Sequence, residues 1–202
     1  FGQMVMAPAL VRYRHQAAAV NVELVTEHFS TLCRNILDDQ LDFALVFGQQ
    51  VDADLLAEPL FHSSMVALLP PHLSREEPVS LEWLCANNLL LMQAQDPLGR
   101  VLHRALYDKR LYPAVSLSIK TYSVIADMVL AGGGVGVVDL FTACRYADQL
   151  TLLPVAQPLP FEVMLISRRD RPQSQSTLHL KQVIRHRLWE IAQQCEARLA
   201  RP

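Results

Sequence analysis

Apolar residues follow two different spacings along this chain. In residues 123–131 and 180–199 they recur every three or four positions, as on the buried face of an amphipathic helix. Residues 41–47, 89–92 and 135–138 are short, almost unbroken apolar runs, which is typical of strands buried on both faces. Because such runs alternate with helical segments, the chain is predicted to be an α/β protein with mainly parallel sheets.

The segments between these follow the same rules. Further strands are predicted from alternating or continuous apolar residues at 20–25, 61–71, 115–120 and 161–169. Further helices are predicted from three- and four-residue spacing at 1–16, 28–40, 78–84 and 97–111. Ser30 and Ser80 are the predicted N-caps of two of these helices, and Pro8 is predicted to interrupt the first.

Two polar loops that contain proline, residues 70–78 and 168–176, indicate how the chain is divided. Each follows a predicted strand, so the segments SSMVALL and FEVMLIS are expected to be adjacent crossings between two subdomains. The first subdomain is then predicted to hold residues 1–65 with 166–202, and the second residues 66–165.

Composition and charge exclude several classes of function. For 202 residues with a formal net charge of −2, a general nucleic-acid-binding surface is not expected. The apolar runs are much shorter than the ~18 residues that a membrane span needs. No basic-then-apolar leader opens the chain either. We therefore expect a cytoplasmic location and no membrane contact.

The cysteines and histidines show no metal-binding or catalytic spacing. The four cysteines, which are expected to be reduced and mostly buried, are Cys33, Cys85, Cys144 and Cys195. The sequence contains no H-E-x-x-H, G-x-S-x-G or S-x-x-K motif and no paired-carboxylate motif. We therefore predict no metal, no cofactor and no catalytic residues, and we do not expect an enzyme.

Residues 128–141, MVLAGGGVGVVDLF, contain a dense glycine cluster. Loops that bind phosphate follow a strand and open a helix, because the helix N-terminus then faces the anion. Here the predicted helix precedes the glycines and the predicted strand follows them. We therefore expect Gly132 to be a left-handed C-cap, with Gly133 and Gly134 completing a tight turn, rather than a nucleotide site.

The helix followed by AGGGVGVVD resembles a signature of the effector-binding domain of LysR-type transcriptional regulators. Three further segments are similar to that family in order and spacing: VNVELVTEHFSTLCRNILDDQLDFALV, AEPLFHSSMVALLPPHLSREEPVSLEWL and LPFEVMLISRRDRPQSQSTLHL. The resemblance implies two Rossmann-like subdomains joined by two crossover strands, a type 2 periplasmic-binding-protein-like fold. Asp39 stands where the family has glycine, and aspartate tolerates the left-handed conformation that this turn needs.

The resemblance also implies a role within a larger protein. The family's regulatory domain begins with a strand and a ligand-contacting loop, and both are expected to be absent here, as is the winged helix-turn-helix. The implied function is to bind a small polar effector in the cleft between the subdomains and so alter a homodimer or homotetramer. DNA would be bound only through the missing domain. The wording GVVDLFTA is similar to members that respond to amino acids or opines, which implies an amino acid or related carboxylate.

Two other functions are compatible with the same architecture. A periplasmic-type solute-binding protein shares the two-lobed fold, and a leader peptide on the full gene would favour it. A small lyase or transferase on this fold is the second alternative, and turnover that depended on Asp96 or Asp139 would favour that one.

Polar side chains at strand ends and helix starts are the candidate effector contacts. The candidates are Thr26, His28, Ser30 and Thr31, then Gln93, Gln95 and Asp96, then Thr121 and Ser123, and finally Asp139 and Phe141. Asp96 would pair with an ammonium group, although capping the helix that follows is an equally good role for it. Tyr122 is expected to pack rather than to contact the ligand.

Overall fold

The computed structural model describes residues 2–17, 19–73, 78–113, 117 and 119–199. Its helices are α1 (Ala7–Gln16), α2 (Phe29–Leu37), α3 (Leu81–Ala86), α4 (Pro97–Asp108), α5 (Tyr122–Leu130), α6 (Leu140–Arg145) and α7 (Gln175–Leu199). Its strands are β1 (Phe43–Phe47), β2 (Leu55–Ser64), β3 (Val66–Leu69), β4 (Leu89–Leu90), β5 (Val135–Val138), β6 (Thr151–Pro154) and β7 (Pro160–Arg168). A π-helical turn (Gly2–Met6) precedes α1, and a 3-10 turn (Pro71–Leu73) follows β3.

Contacts along the chain group into two compact units. The first unit contains the residues up to Phe61 together with Glu162–Ile191, and the second contains His62–Phe161 together with the chain from Ala192. The chain therefore passes from one unit to the other within β2, β7 and α7.

The first unit is built on a sheet with the strand order β1-β7-β2. β1 and β7 are antiparallel, from the pair Phe43 and Ser167 to the pair Phe47 and Val163. α2 covers this sheet because its apolar residues recur at helical spacing. The side chains of the resulting core are Leu32, Ile36, Ala44, Val46, Leu55, Met164 and Ile166.

The turn between α2 and β1 confirms the expectation for Asp39. Its φ is 58°, in the left-handed region that the family's glycine would occupy. The Asp39 carboxylate also accepts ion pairs from Arg168 at 3.0 Å and Arg171 at 3.1 Å. These exposed pairs stabilise the turn only modestly, because solvent screens them.

The second unit is built on a sheet with the strand order β4-β5-β3-β6. β4 and β5 are parallel, whereas β3 is antiparallel to both of its neighbours. The β1–β7 pair is antiparallel as well, so the prediction of mainly parallel sheets is wrong for β1–β7, β3–β5 and β3–β6. Unbroken apolar runs report burial on both faces of a strand, and they carry no information about its direction.

The predicted strand at 20–25 is also wrong. Residues 20–28 form no strand or helix, and the side chains of Val22 and Leu24 are 38% and 46% exposed. Alternation creates one apolar face, but a strand also requires a neighbour for its backbone hydrogen bonds. Of the predicted strand at 115–120, residues 115, 116 and 118 lie outside the described residues, while Ile119 forms a parallel bridge with Met92.

The remaining predicted elements are confirmed, with changed boundaries. The stretch predicted as one strand at 61–71 belongs to two strands. It contains the end of β2, which runs from Leu55 to Ser64, and the whole of β3. Pro8 lies in the first turn of α1, where its missing N–H costs nothing, so it begins this helix rather than interrupting it. α6 and β6 were not predicted.

α7 buries the apolar stripe that its sequence pattern predicts. The buried side chains on this helix include Leu180, Val183, Ile184, Leu188, Ile191 and Cys195. In the described part of the chain, neither α7 nor any other helix combines the length and apolar content needed to cross a membrane.

Candidate functional site

The carboxyl ends of parallel strands in the second unit form one edge, and three helices begin there. β4 is parallel to β5, and Met92 and Ile119 form a parallel bridge beside them. The helices that follow are α4, α5 and α6, whose N-cap residues are Asp96, Thr121 and Asp139. Because the N-terminal N–H groups of a helix carry partial positive charge, this edge is suited to polar ligands.

The glycine cluster ends α5, as predicted. Gly132 has a φ of 82°. Its N–H donates to Val129 over 3.0 Å, and the N–H of Gly133 donates to Met128 over 2.8 Å. This pattern is the Schellman motif, which satisfies the last carbonyl groups of a helix. The prediction of Gly132 as a left-handed C-cap is therefore confirmed.

Gly134 is required for a different reason. A Cβ on Gly134 would lie 2.1 Å from the carbonyl oxygen of Asn88, so no side chain fits there. The Asn88 side-chain amide donates to the carbonyl of Gly133 over 2.7 Å. These contacts bring the turn after α5 against the start of β4, so that β5 pairs with β4.

Asp96 and Tyr122 connect the starts of α4 and α5. The Asp96 Oδ1 atom accepts hydrogen bonds from the N–H of Leu98 at 3.0 Å, from the N–H of Gly99 at 3.4 Å, and from the Tyr122 hydroxyl. Burial, together with the nearby carboxylates of Asp96 and Asp139, raises the pKa of Tyr122, so the hydroxyl remains a donor at neutral pH. Tyr122 was expected to pack rather than to contact the ligand, and this hydrogen bond was not predicted.

Asp139 is fully buried and both of its carboxylate oxygens are engaged. Its Oδ1 accepts the N–H groups of Phe141 and Thr142, each at 3.0 Å, and its Oδ2 accepts the Thr142 hydroxyl at 2.6 Å. Asp139 and Phe141 both have an exposed fraction of 0%. Asp139 is therefore the buried N-cap of α6, and Phe141 is buried in the first turn of that helix.

Thr121 and Ser123 begin α5, the only one of the three helices described above whose N-cap side chain makes no capping hydrogen bond. The Thr121 side chain is exposed and the Ser123 side chain is half-buried. The carbonyl of Ser123 accepts the Tyr146 hydroxyl at 3.4 Å. The helix dipole at this N-terminus is therefore not offset by a capping side chain.

Gln93 and Gln95 lie in the turn between β4 and α4. The N–H of Gln93 donates to Ile119 over 3.1 Å, and its carbonyl accepts the N–H of Asp96 at 3.1 Å. A Cβ on Gly99 would lie 2.0 Å from this carbonyl, so α4 begins directly against the turn. The Gln95 side chain is exposed and that of Gln93 is half-buried.

The other four candidates lie in the first unit, around the start of α2. Thr26, His28 and Ser30 are exposed, and Thr31 is half-buried. The N-cap of α2 is His28, whose side chain makes no capping hydrogen bond, so the prediction of Ser30 as N-cap is wrong. The helix begins at Phe29, two residues earlier than a Ser30 cap would allow, because Phe29 packs with the α2 core.

No metal site accompanies these residues. Among the residues that the structure describes, His, Cys, Asp and Glu side chains form no group of three or more that could hold a metal ion. Cys33 and Cys85 are half-buried, and Cys144 and Cys195 are buried, all four with free thiols.

Comparison with known proteins identifies the family. A family model described as the LysR substrate binding domain matches residues 1–189. The HTH-type transcriptional regulator DgcR of a Pseudoalteromonas species is 26% identical over 166 residues, which cover 81% of this chain and 57% of that protein. The chain therefore spans little more than half the length of this transcriptional regulator.

Two solved structures show the fold. The CcmR regulatory domain of Synechocystis PCC6803, in complex with 2-PG, matches with a TM-score of 0.78 at 13% identity, over 90% of this chain and 89% of that one. The effector-binding domain of QuiR, in complex with shikimate, matches with a TM-score of 0.75 at 10% identity, over 92% and 90%. These likenesses confirm the predicted α/β fold of the type 2 periplasmic-binding-protein class.

The family match also decides between the functions that the sequence left open. It covers most of the chain, and it favours a regulator over a periplasmic solute-binding protein or a small enzyme. The chain belongs to the family of LysR substrate-binding domains, the effector-binding domains of LysR-type transcriptional regulators.

Proposed function

We propose that this chain senses a small polar effector and transmits its binding to the DNA-binding part of a LysR-type regulator. The observation that carries the proposal is the edge of the second unit at which Asp96 caps α4 and accepts the Tyr122 hydroxyl from α5. A network that joins two helix starts positions polar groups with little freedom, which is what specific recognition of a small ligand requires.

The chemistry of this edge favours a zwitterionic effector. The start of α5 has no side-chain cap, so its partial positive charge favours a carboxylate. The half-buried Asp96 carboxylate, a short distance away at the start of α4, favours an ammonium group. An amino acid or a related carboxylate fits both ends. The small polar ligands named with the CcmR and QuiR structures support an effector of this size.

Four residues complete the proposed contacts in the second unit, namely Gln93, Gln95, Thr121 and Ser123. Because Asp139 and Phe141 are both buried, we propose that they hold the start of α6 in place and do not contact the effector themselves. In the first unit, the proposed contacts are Thr26, His28, Ser30 and Thr31, three of which are exposed.

The proposed output follows from differential binding. A ligand shifts an equilibrium only by the difference between its affinities for two states. We propose that the effector favours one conformation of a cytoplasmic homodimer or homotetramer, and that this conformation sets the positions of DNA-binding domains attached to it.

Calorimetry and thermal shift measurements with a panel of amino acids, opines and simple carboxylates test the proposal. Asp96→Asn keeps the capping oxygen but removes the charge, so we expect at least a tenfold loss of affinity for a zwitterion with little change in melting temperature. Tyr122→Phe removes the hydroxyl and is expected to weaken binding less, by about fivefold.

The matched control is Tyr112→Phe, at an exposed tyrosine of the same unit, and it should bind as the unchanged chain does. The proposal fails if no compound of the panel raises the melting temperature. The zwitterion assignment alone fails if a ligand binds and Asp96→Asn leaves its affinity unchanged.

A further inference from the structure

A tyrosine at the end of α6 is hydrogen-bonded to the first two turns of α5. The residue is Tyr146, the C-cap of α6. Its hydroxyl donates to the Asp127 Oδ1 atom over 2.6 Å and to the Ser123 carbonyl over 3.4 Å. Because Ser123 and Asp127 are four residues apart, they lie on the same face of α5, one turn from each other. One hydroxyl of the second unit therefore joins two successive turns of a neighbouring helix.

Tyr146 is itself held in place by its surroundings. The residue is buried, with an exposed fraction of 6%. Its N–H donates to the Ala143 carbonyl over 2.9 Å, and the Arg145 guanidinium lies over its ring, 5.6 Å from the ring centre. Burial, together with the hydrogen bond to Asp127, raises the pKa of Tyr146, so the hydroxyl keeps its proton at neutral pH. Tyr146 is therefore a fixed donor beside α5.

The start of α5 lacks the support that the starts of α4 and α6 have. Aspartate side chains cap α4 and α6, whereas the side chain of Thr121 makes no capping hydrogen bond on α5. The bonds that close its first turn run from the N–H groups of Val124 and Ile125 to the Thr121 carbonyl, over 3.1 and 3.3 Å. Uncapped helix ends open locally at low free-energy cost. The bonds from Tyr146 thus hold a helix start that its own N-cap side chain does not.

We propose that Tyr146 is a positioning residue for the candidate site, and that it fixes the first two turns of α5 through Asp127 and Ser123. The contacts proposed on α5, Thr121 and Ser123, then keep one orientation, so the effector does not have to order them when it binds. This consequence for affinity rests on the proposed function, whereas the effect on α5 does not. Because Tyr146 acts through α5, it need not contact the effector.

Amide hydrogen exchange, followed by NMR on the full chain without effector, tests the effect on α5. Tyr146→Phe keeps the ring and removes only the hydroxyl. We expect the N–H groups of Val124 and Ile125 to exchange about tenfold faster, which is the effect of losing one hydrogen bond to a charged acceptor. The amides of β5 and of the first turn of α4 report the rest of the unit, and their rates should change by less than about twofold.

Variants of the acceptor separate positioning from a general loss of stability. Asp127→Asn keeps an oxygen that can accept the hydroxyl, so exchange at Val124 and Ile125 should rise by less than about threefold. Asp127→Ala leaves only the longer bond to Ser123 and should raise it by about fivefold. Because Asp127 is exposed, these two variants decide the question even if Tyr146→Phe fails to fold. The matched control is Tyr107→Phe, at an exposed tyrosine on α4, which should leave these rates unchanged.

Calorimetric titration tests the consequence for binding. The probe is the amino acid from the panel above that raises the melting temperature most. Its dissociation constant should rise about tenfold in Tyr146→Phe and stay unchanged in Tyr107→Phe. If no amino acid binds the unchanged chain, the proposed function fails while the exchange rates still decide the effect on α5.

Three results would overturn the positioning role. The first is unchanged exchange at Val124 and Ile125 in Tyr146→Phe. The second is acceleration of every amide in the second unit by the same factor, which indicates a general loss of stability. The third is faster exchange at the start of α5 with no change in the dissociation constant of the bound amino acid, which would show that the order of α5 has no influence on binding.

Discussion

The starts of α2 in the first unit and α4 in the second unit contain similar residue types but are built differently. Before α2, Thr26, His28 and Ser30 are exposed and no side chain caps the helix. Before α4, Asp96 caps the helix and also accepts the Tyr122 hydroxyl. The comparison shows that a polar residue before a helix becomes part of a network only where a second element supplies a partner.

The buried cap of α6 is the extreme of this contrast and should show the largest effect. Asp139→Ala leaves two backbone N–H groups and the Thr142 hydroxyl without their acceptor in a buried position. We expect a loss of about 3 kcal/mol in the free energy of unfolding, measured by urea denaturation. Asp148→Ala, at an exposed aspartate of the same unit, is the control and should change stability by less than about 0.5 kcal/mol. Equal effects of the two changes would contradict the assigned role of Asp139.

The direct test of the contrast compares Asp96 with Ser30. Asp96→Ala removes the cap of α4 and should destabilise the chain by about 1–2 kcal/mol. Ser30→Ala lies inside the first turn of α2 without a capping bond, so it should change stability by no more than about 0.5 kcal/mol. Thermal and urea unfolding measure both. A large effect of Ser30→Ala would show that the start of α2 is built like that of α4.

The smallest effect is expected from the second partner in the network. Tyr122→Phe loses one hydrogen bond and should cost about 1 kcal/mol at neutral pH. The raised pKa of Tyr122 stabilises the folded state fully below the unfolded value near about 10, and this contribution is lost as the pH rises further. The difference between the unchanged chain and Tyr122→Phe should therefore shrink above about pH 10. A constant difference across this range would contradict the buried, protonated hydroxyl.

Much of the local structure was predicted correctly because it depends on adjacent residues. Ser80 caps α3 and accepts the N–H of Trp83 at 3.1 Å, as the pattern before that helix predicts. Gly132 and Asp39 adopt the positive φ values that their turns require. The strand predicted at 20–25 was wrong because pairing depends on a neighbour that the pattern does not contain.

The candidate site was predicted less completely than the fold. The sequence placed Asp96, Thr121 and Asp139 before helices, because polar residues in that position are recognisable, and all three are N-cap residues. Tyr122 was assigned to packing, since nothing in its local pattern indicates a hydroxyl partner 26 residues away. The burial of Asp139 was equally invisible, because a cap can face solvent or the core.

The sequence by itself determined the family, the positions of most helices and strands, and the turn at Gly132. These features depend on periodicity and on backbone angles, which are properties of neighbouring residues. Only the tertiary structure decided the direction of β3 and the Asp96–Tyr122 hydrogen bond. Each of these joins residues distant along the chain, and packing of the completed units alone brings them together.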